Sequence, residues 1–232
     1  MSNIKKRILS SIIILPVSLF FILKGGNYIV SFLYAILILG NFEVFSAFKR
    51  KLTIILVDLI LVISLLAVLF LRNDTASSFF LLLWVIILTI LSDVGGYVFG
   101  KLFKGKRISK ISPNKTLSGV IGSFIFSIFS VFLIDMIVEI FTGIDNNFFL
   151  KLKFFILAIV FSITAQLGDL TISYFKRLEK IKDTGKIIPG HGGIFDRIDG
   201  LMFVVILAYI LYTLKTVSYT HLRAHETPEH LV

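Results

Sequence analysis

Three aspartates near the end of the chain have the residue type and spacing for metal-assisted phosphate chemistry. Asp196 and Asp199 are three positions apart in KDTGKIIPGHGGIFDRIDG (182–200), and Asp169 precedes them in QLGDLTISYFKR. If the later pair is helical, its two carboxylates share one helix face. Hard divalent cations such as Mg²⁺ bind oxygen ligands and keep open positions for substrate phosphates. These three carboxylates therefore predict a magnesium centre that acts on a phosphate group.

Basic side chains and a glycine-rich turn accompany these acids. Lys176, Arg177 and Lys182 follow the first aspartate and are predicted to bind phosphates. The turn, in which backbone amides can face a phosphate, consists of Pro189, Gly190, Gly192 and Gly193. The alternative interpretation is that the later two aspartates only form ion pairs at the membrane surface with Arg197 and cap the next helix.

Two further polar residues of this segment have less certain roles. His191 suits a general base, but a phosphate monoester is already ionised near neutral pH and needs no base to attack. A binding or structural role is therefore the better interpretation of His191. Asp183 is interpreted either as a further metal ligand or as a group that orients one.

A second basic segment, GKLFKGKRISKISPNKTLSG (100–119), precedes a predicted helix. Ser112, Lys115 and Thr116 stand near that helix start, where hydroxyls, backbone amides and a lysine together can bind an anion. The alternative is a positively charged surface bound to anionic lipid head groups. Asp93 lies just before this segment in LSDVGGYVFGK, whose glycines are equally suited to close helix packing.

The remaining membrane-associated acids are interpreted separately, because a carboxylate at membrane depth is costly unless it is paired or hydrated. Glu43, which precedes Lys49 and Arg50, and Glu139 are predicted to be interfacial charges. Asp58 and Asp135 are deeper, and they suit either structural hydrogen bonding or a polar cavity.

The composition indicates which elements must carry these residues. The chain has 232 residues, of which 56% are hydrophobic and 16% charged, which is typical of a polytopic membrane protein. A bilayer core about 30 Å thick needs roughly 20 apolar residues per helix. We therefore predict an all-α protein with about seven spans, at 7–23, 28–48, 52–71, 78–100, 117–141, 153–175 and 198–215. Residues 1–75 would form an N-terminal unit of three helices, and residues 76–216 a catalytic unit with two basic loops.

The distribution of charge predicts the orientation. Most of the 24 lysines and arginines fall on one side of the predicted membrane, together with the N-terminus, and the positive-inside rule makes that side cytoplasmic. Much of the net charge of +10 is thereby explained without a nucleic-acid partner. The chain contains no cysteine, so any metal must be held by oxygen or imidazole ligands.

The last segment, VSYTHLRAHETPEHLV (217–232), does not continue the apolar pattern. It resembles translated read-through of a sequencing adapter, and we expect it to be non-native and the natural carboxyl end to be missing. A metal-binding tail is the alternative, because the segment contains His221, His225 and His230.

The segment from Ser173 to Asp199 resembles the signature of the phosphatidate cytidylyltransferases, or CDP-diacylglycerol synthases, without a departure. The upstream SDVGGYVFGKLFKGKRISKISPNKTLSG resembles a second block of that family, in which an acid and glycines precede an SPxKT turn. Many members carry Trp-Glu where this chain has Leu117 and Ser118. The resemblance covers about residues 85–215.

The resemblance implies an enzyme that joins CTP to phosphatidic acid and releases pyrophosphate, with its active site on the cytoplasmic face of the cell's inner membrane. It implies Mg²⁺, with room for a monovalent partner such as K⁺, at Asp169, Asp196 and Asp199, and Lys176 as a further catalytic residue. A homodimer is compatible with this assignment. The residues expected to contact substrates are Ser112, Lys115, Thr116, Arg177, Lys182, Asp183, His191, Gly192, Gly193 and Arg197.

Two other functions fit parts of the sequence. An ion-coupled transporter also has many spans with buried acids, but the dense charges here gather at one membrane face and no internal repeat is visible. A CDP-alcohol phosphotransferase also handles a cytidine diphosphate lipid, but its pattern of spaced acids is not found.

Overall fold

The computed structural model of the chain describes residues 3–108, 112, 115–143, 150–185, 187–188 and 192–214. His191 and the predicted non-native segment 217–232, with its three histidines, lie outside the described residues. The described part is helical and contains no strand, only two isolated bridges. Its helices are α1 (Asn3–Lys24), α2 (Gly26–Ala47), α3 (Lys51–Asn73), α4 (Ala76–Phe103), α5 (Leu117–Thr142), α6 (Leu152–Leu178) and α7 (Phe195–Thr213).

Five of these helices, α2 to α6, are long and apolar enough to cross a bilayer. The chain is therefore a multi-pass membrane protein. Among the described side chains of α1, Ile13–Lys24 form an apolar helix, and α7 has 19 residues with Asp196 in its first turn. The helical prediction is confirmed at all seven places.

Helix α4 lies at the centre of the bundle, and its Trp84 is fully buried. The Trp84 indole ring packs edge-on against Phe154 and Phe161 of α6, and its N–H donates to Ser130 Oγ of α5 at 3.0 Å. This arrangement buries a large aromatic surface while giving its one polar group a partner. Three of the helices whose ends form the site are thus held together by one side chain.

Helices α4 and α5 approach each other along glycines. A Cβ on Gly95 would collide with the backbone carbonyl of Gly122, and a Cβ on Gly119 would lie 2.8 Å from the carbonyl oxygen of Gly96. Contacts this short exclude any side chain, so the glycines permit the close helix packing that we considered as the alternative for LSDVGGYVFGK.

The candidate residues gather at one end of the bundle. That end contains the last turns of α2, α4 and α6 and the first turns of α5 and α7. Thr116 caps α5, since its hydroxyl accepts from Gly119 N at 3.2 Å. A buried apolar cluster beneath this end consists of Val44, Phe48, Val57, Leu61, Ile172, Phe195 and Met202. It joins α2 and α3 to α6 and α7, so the N-terminal helices take part in positioning the site.

Candidate active site

A buried lysine at the end of α6 connects that helix to the start of α7. Lys176 is 7% exposed, and its Nζ lies 2.8 Å from Asp196 Oδ1 and 3.9 Å from Asp199 Oδ2. Because α7 begins at Phe195, both aspartates are helical and share one face, as the spacing predicts. Lys176 compensates their charge within the protein, so its ammonium is engaged by carboxylates rather than directed at an open space.

Asp196 is also the anchor of the loop before α7. Its Oδ2 accepts from the backbone N–H groups of Thr184 at 2.8 Å and Gly193 at 3.1 Å. Together with Lys176 these donors engage both oxygens of the carboxylate. Charge-assisted hydrogen bonds of this kind are strong, so Asp196 fixes the loop to the helix that follows it.

Asp169 forms a second ion pair, with Lys115 just before α5. Its Oδ2 lies 2.5 Å from Lys115 Nζ, and Ser173 Oγ donates to Oδ1 at 3.4 Å. Lys115 Nζ also donates to the carbonyl of Gln166 at 3.2 Å. The structure therefore brings together Asp169 and Lys115, which belong to the two predicted motifs.

Three acids at this end of the bundle act on one another electrostatically. Asp169 repels both Asp93 and Asp199, and Asp93 also repels Asp199. Lys115 and Arg197 attract Asp93 and so offset part of this repulsion. Asp93 lay outside the predicted site, although the sequence marked it as an acid at a membrane edge beside a basic segment.

The predicted metal ligands differ in how many of their carboxylate oxygens are already engaged by other groups of the protein. No three acidic or histidine side chains in the described part of the chain are grouped closely enough to hold a metal ion. Asp196 has both oxygens engaged, whereas Asp169 and Asp199 repel each other and each faces one lysine. Mg²⁺ is often bound by one or two carboxylates plus substrate phosphates. Asp169 and Asp199 fit that pattern better than Asp196 does.

A cavity of about 180 Å³ opens beside Asp169's partner lysine, between α4, α5 and α6. Its wall includes an acid, a lysine, a hydroxyl and an amide, with the glycine-lined α4–α5 contact behind them. The lining residues are Asp93, Gly96, Tyr97, Lys115, Thr116, Gly119, Val120, Ser123 and Gln166. Lys115 and Thr116, two predicted substrate contacts, therefore face one space, in which a cation and a hydroxyl can bind an anion.

The other predicted contacts occupy more peripheral positions. Arg177 Nη1 donates to the carbonyl of Ile181 at 2.7 Å, and the side chains of Lys182, Asp183 and Arg197 are exposed. The carbonyl of Ser112 accepts from Lys115 N at 3.1 Å. Of these residues, Arg197 still acts electrostatically on Asp93 in the cavity wall.

Two glycines of the signature turn are explained by their backbone conformation or hydrogen bonds. Gly192 has φ of +91°, a conformation that strongly favours glycine, and its carbonyl accepts from Ile188 N at 2.9 Å. Gly193 donates to Asp196 as described above, so its amide is engaged within the protein.

Glu43 has a structural role that the sequence reasoning missed. It was predicted to be an interfacial charge; it lies near the end of α2 but is only 1% exposed, and it accepts hydrogen bonds from Ile194 N at 2.9 Å and Phe195 N at 3.0 Å. Ile194 stands at the N-cap of α7 and has no side-chain oxygen with which to cap the helix. The cap must therefore come from elsewhere in the chain.

Comparison of the sequence with known proteins identifies relatives of this chain. The sequence profile described as the Cytidylyltransferase family matches residues 46–215. A Staphylococcus epidermidis protein named phosphatidate cytidylyltransferase is 44% identical over 133 residues, which cover 57% of this chain and 46% of that protein. The chain thus spans about half the length of the staphylococcal relatives it matches. A Rickettsia conorii protein of the same name is 33% identical over 217 residues, covering 90% of this chain and 91% of that protein.

Proposed function

This chain belongs to the cytidylyltransferase family, and on that premise we propose that it is a phosphatidate cytidylyltransferase. It transfers the cytidylyl group of CTP to phosphatidic acid and so makes CDP-diacylglycerol. A lipid phosphate oxygen forms a new bond to the α-phosphorus of CTP, and the bond between the α-phosphorus and the bridging oxygen breaks. Pyrophosphate leaves with that electron pair. The attacking phosphate is already ionised, so no residue has to remove a proton from it.

The observation that carries this proposal is the pairing of Lys115, a residue of the cavity wall, with Asp169. Both substrates are anionic, so they need fixed cations to approach each other. A substrate phosphate entering the cavity can replace Asp169 as the partner of Lys115. The carboxylate released in this way is then available to a cation that accompanies the phosphates. Thr116 adds a hydroxyl at the same wall.

We assign Mg²⁺ to Asp169 and Asp199, completed by substrate phosphates, with K⁺ as a candidate second cation. When bound, the metal ion would neutralise charge on the phosphates as the bond changes proceed. Lys176 keeps Asp199 in place through its contact at 3.9 Å and balances Asp196 at 2.8 Å. In this assignment Asp196 is a structural anchor of the loop rather than a metal ligand.

We further propose seven membrane spans, with the N-terminus and the site on the cytoplasmic face of the inner membrane. CTP is water-soluble, whereas phosphatidic acid lies in the leaflet, and a site at the helix ends is accessible to both. The basic residues of 101–108 lie at the same end as the acids, and they suit an anionic cytoplasmic leaflet.

The test is transfer of labelled CTP into extractable lipid by membranes that contain the full chain. Phosphatidic acid and Mg²⁺ are each supplied or omitted, and membranes without the chain set the background. We expect label in lipid only when both are present. Failure of the inserted chain to incorporate label would overturn the proposal. A CDP-alcohol phosphotransferase would instead release CMP from CDP-diacylglycerol when an alcohol is supplied, and a parallel assay for CMP distinguishes that reaction.

A further inference from the structure

We propose that Glu43 is a positioning residue for this reaction: it holds Thr184, Ile194 and the first turn of α7, and so fixes the position of Asp199 on that helix. The catalytic consequence of this inference rests on the proposed function. Its structural part rests only on the contacts of Glu43. Glu43 lies on α2, before the family match that begins at residue 46. No signature motif therefore includes it.

The first contact is with the start of α7. Glu43 Oε1 accepts from Ile194 N at 2.9 Å, and Oε2 accepts from Phe195 N at 3.0 Å. The first N–H groups of a helix have no partner within the helix, and a negative charge at that end is favoured by the helix dipole. Glu43 thus supplies the cap that Ile194 cannot provide, from a residue 151 positions earlier in the chain.

The second contact connects this cap to Asp196. Thr184 Oγ1 donates to Glu43 Oε2 at 3.4 Å, while Thr184 N donates to Asp196 Oδ2 at 2.8 Å. Two carboxylates, one on α2 and one on α7, therefore hold the same threonine. A displacement of Glu43 is transmitted both to the loop and to the helix that carries Asp199.

The third observation is the lack of space around the carboxylate. A Cβ on Gly185 would lie 2.7 Å from Glu43 Oε1, and a Cβ on Gly193 would collide with Oε2. Both glycines lie in the signature segment. A larger residue at either position would displace the Glu43 carboxylate or the loop from this contact.

The burial of Glu43 indicates how strongly the loop depends on it. At 1% exposure, the carboxylate has exchanged its hydration for the donors just named. Removal of a charged acceptor leaves buried N–H groups without a partner, and such losses exceed the cost of losing an ordinary hydrogen bond. Glu43 is not among the residues that line the cavity, so it acts on the reaction through the loop and not by touching substrate.

The main test compares Glu43→Gln with Glu139→Gln in the full chain. The second variant makes the same chemical change at an exposed position of α5. Glutamine preserves the size of residue 43 but places an NH₂ group against a backbone donor. We expect turnover per folded molecule to fall at least about tenfold for E43Q and to remain within about twofold of the wild type for E139Q. Folded protein is quantified as the monodisperse fraction in detergent.

Hydrogen exchange supplies a readout that does not depend on activity. The amides of Ile194 and Phe195 should exchange at least about tenfold faster in E43Q, while E139Q should match the wild type. Unchanged exchange at these amides in E43Q would overturn the inference. Faster exchange with unchanged turnover in an active enzyme would also overturn it, because the loop would then be held without consequence for the reaction.

The single variant Gly185→Ala covers the case in which E43Q folds poorly, and a double-mutant cycle tests the contact itself. Gly185→Ala should slow turnover and speed exchange on its own, because its methyl group meets the carboxylate. In a Glu43→Ala background that carboxylate is absent, so adding G185A should change exchange by less than about twofold. Additive effects would contradict the proposed contact. If the wild-type chain makes no CDP-diacylglycerol, the proposed function fails, and the exchange data still decide the role of Glu43.

Discussion

A lysine buried between two aspartates divides the carboxylates of this site into two kinds. Asp196 is saturated with hydrogen bonds from Lys176 and the loop backbone, whereas Asp199 has a more distant contact with Lys176 and is repelled by Asp169 and Asp93. A carboxylate whose two oxygens are both hydrogen-bonded stabilises the fold, whereas a carboxylate repelled by other acids favours the binding of a cation. The two aspartates should therefore respond differently to the same substitution.

Asp199→Asn should separate activity from stability. The change removes a charge that other acids repel, so we expect the unfolding temperature to stay the same or rise. Turnover should fall at least about tenfold, and more Mg²⁺ should be needed for half-maximal rate. Both quantities can be measured on detergent-purified protein over a series of Mg²⁺ concentrations. An unchanged Mg²⁺ requirement would argue against Asp199 as a ligand.

Asp196→Asn should reduce stability as well as activity. It leaves the buried Lys176 without its close partner, and breaking a buried pair costs about 3 to 5 kcal/mol. Thermal unfolding in detergent should show a clearly lower transition. The control is the double variant Lys176→Met with Asp196→Asn, which removes both charges, keeps an amide oxygen for the loop N–H groups, and should recover much of the lost stability without recovering turnover. If the double variant is no more stable than D196N, the buried charge is not the cause.

The sequence predicted the residues of the site better than their roles. Spacing alone placed Asp196 and Asp199 on one face, because helical geometry is local. Saturation of Asp196 could not be predicted, since two of its donors are backbone amides of a loop whose path depends on tertiary packing. Glu43 was missed for the same reason, because its hydrogen-bond partners are about 150 residues away in the sequence. The hydropathy pattern indicates how deep a residue lies in the membrane but not which residues it contacts.

At the scale of elements, α4 and α5 form a unit that positions the cavity. Hydropathy predicted 78–100 and 117–141 for these helices, close to the observed Ala76–Phe103 and Leu117–Thr142. The glycines at their contact were left between two interpretations, because small residues serve both close packing and ligand approach. Only the observed contact between Gly95 and Gly122 shows that they serve packing here.

Gly122→Val should disrupt this unit. Its Cβ would lie 2.5 Å from the carbonyl oxygen of Gly95, and overpacking of this kind typically costs about 1 to 3 kcal/mol. We expect a lower unfolding temperature and loss of turnover, because the cavity wall moves with α5. Ile121→Val is the matched control, since that neighbouring side chain is exposed at the surface of the bundle. Equal effects of the two substitutions would exclude a specific role for the glycine contact.

At the scale of the whole molecule, charge and helix order determine which face meets the substrates. The acids, Lys115 and the basic residues after α4 lie at one end of the bundle, while the short connection between α3 and α4 lies at the other. There Tyr212 of α7 donates to Asp74 at 2.5 Å. This contact holds the connection to the last helix, away from the site.

The orientation can be tested with introduced cysteines, because the chain contains none of its own. Lys101→Cys and Lys182→Cys replace exposed residues at the candidate-site end, and Asn73→Cys replaces one at the opposite end. A membrane-impermeant maleimide should label the first two in inside-out vesicles and the third only in right-side-out vesicles. Labelling of all three from one side would contradict the proposed topology.

The cap between Glu43 and α7 also has a consequence for the way the protein is made. The ribosome releases Glu43 about 150 residues before Ile194 and Phe195. During that interval α2 is present without the amides that compensate its carboxylate. Until these two residues are synthesised, the Glu43 carboxylate needs other hydrogen-bond donors, such as water. Arrival of α7 then supplies the donors for this carboxylate, so α2 reaches its final environment only after α7 is synthesised.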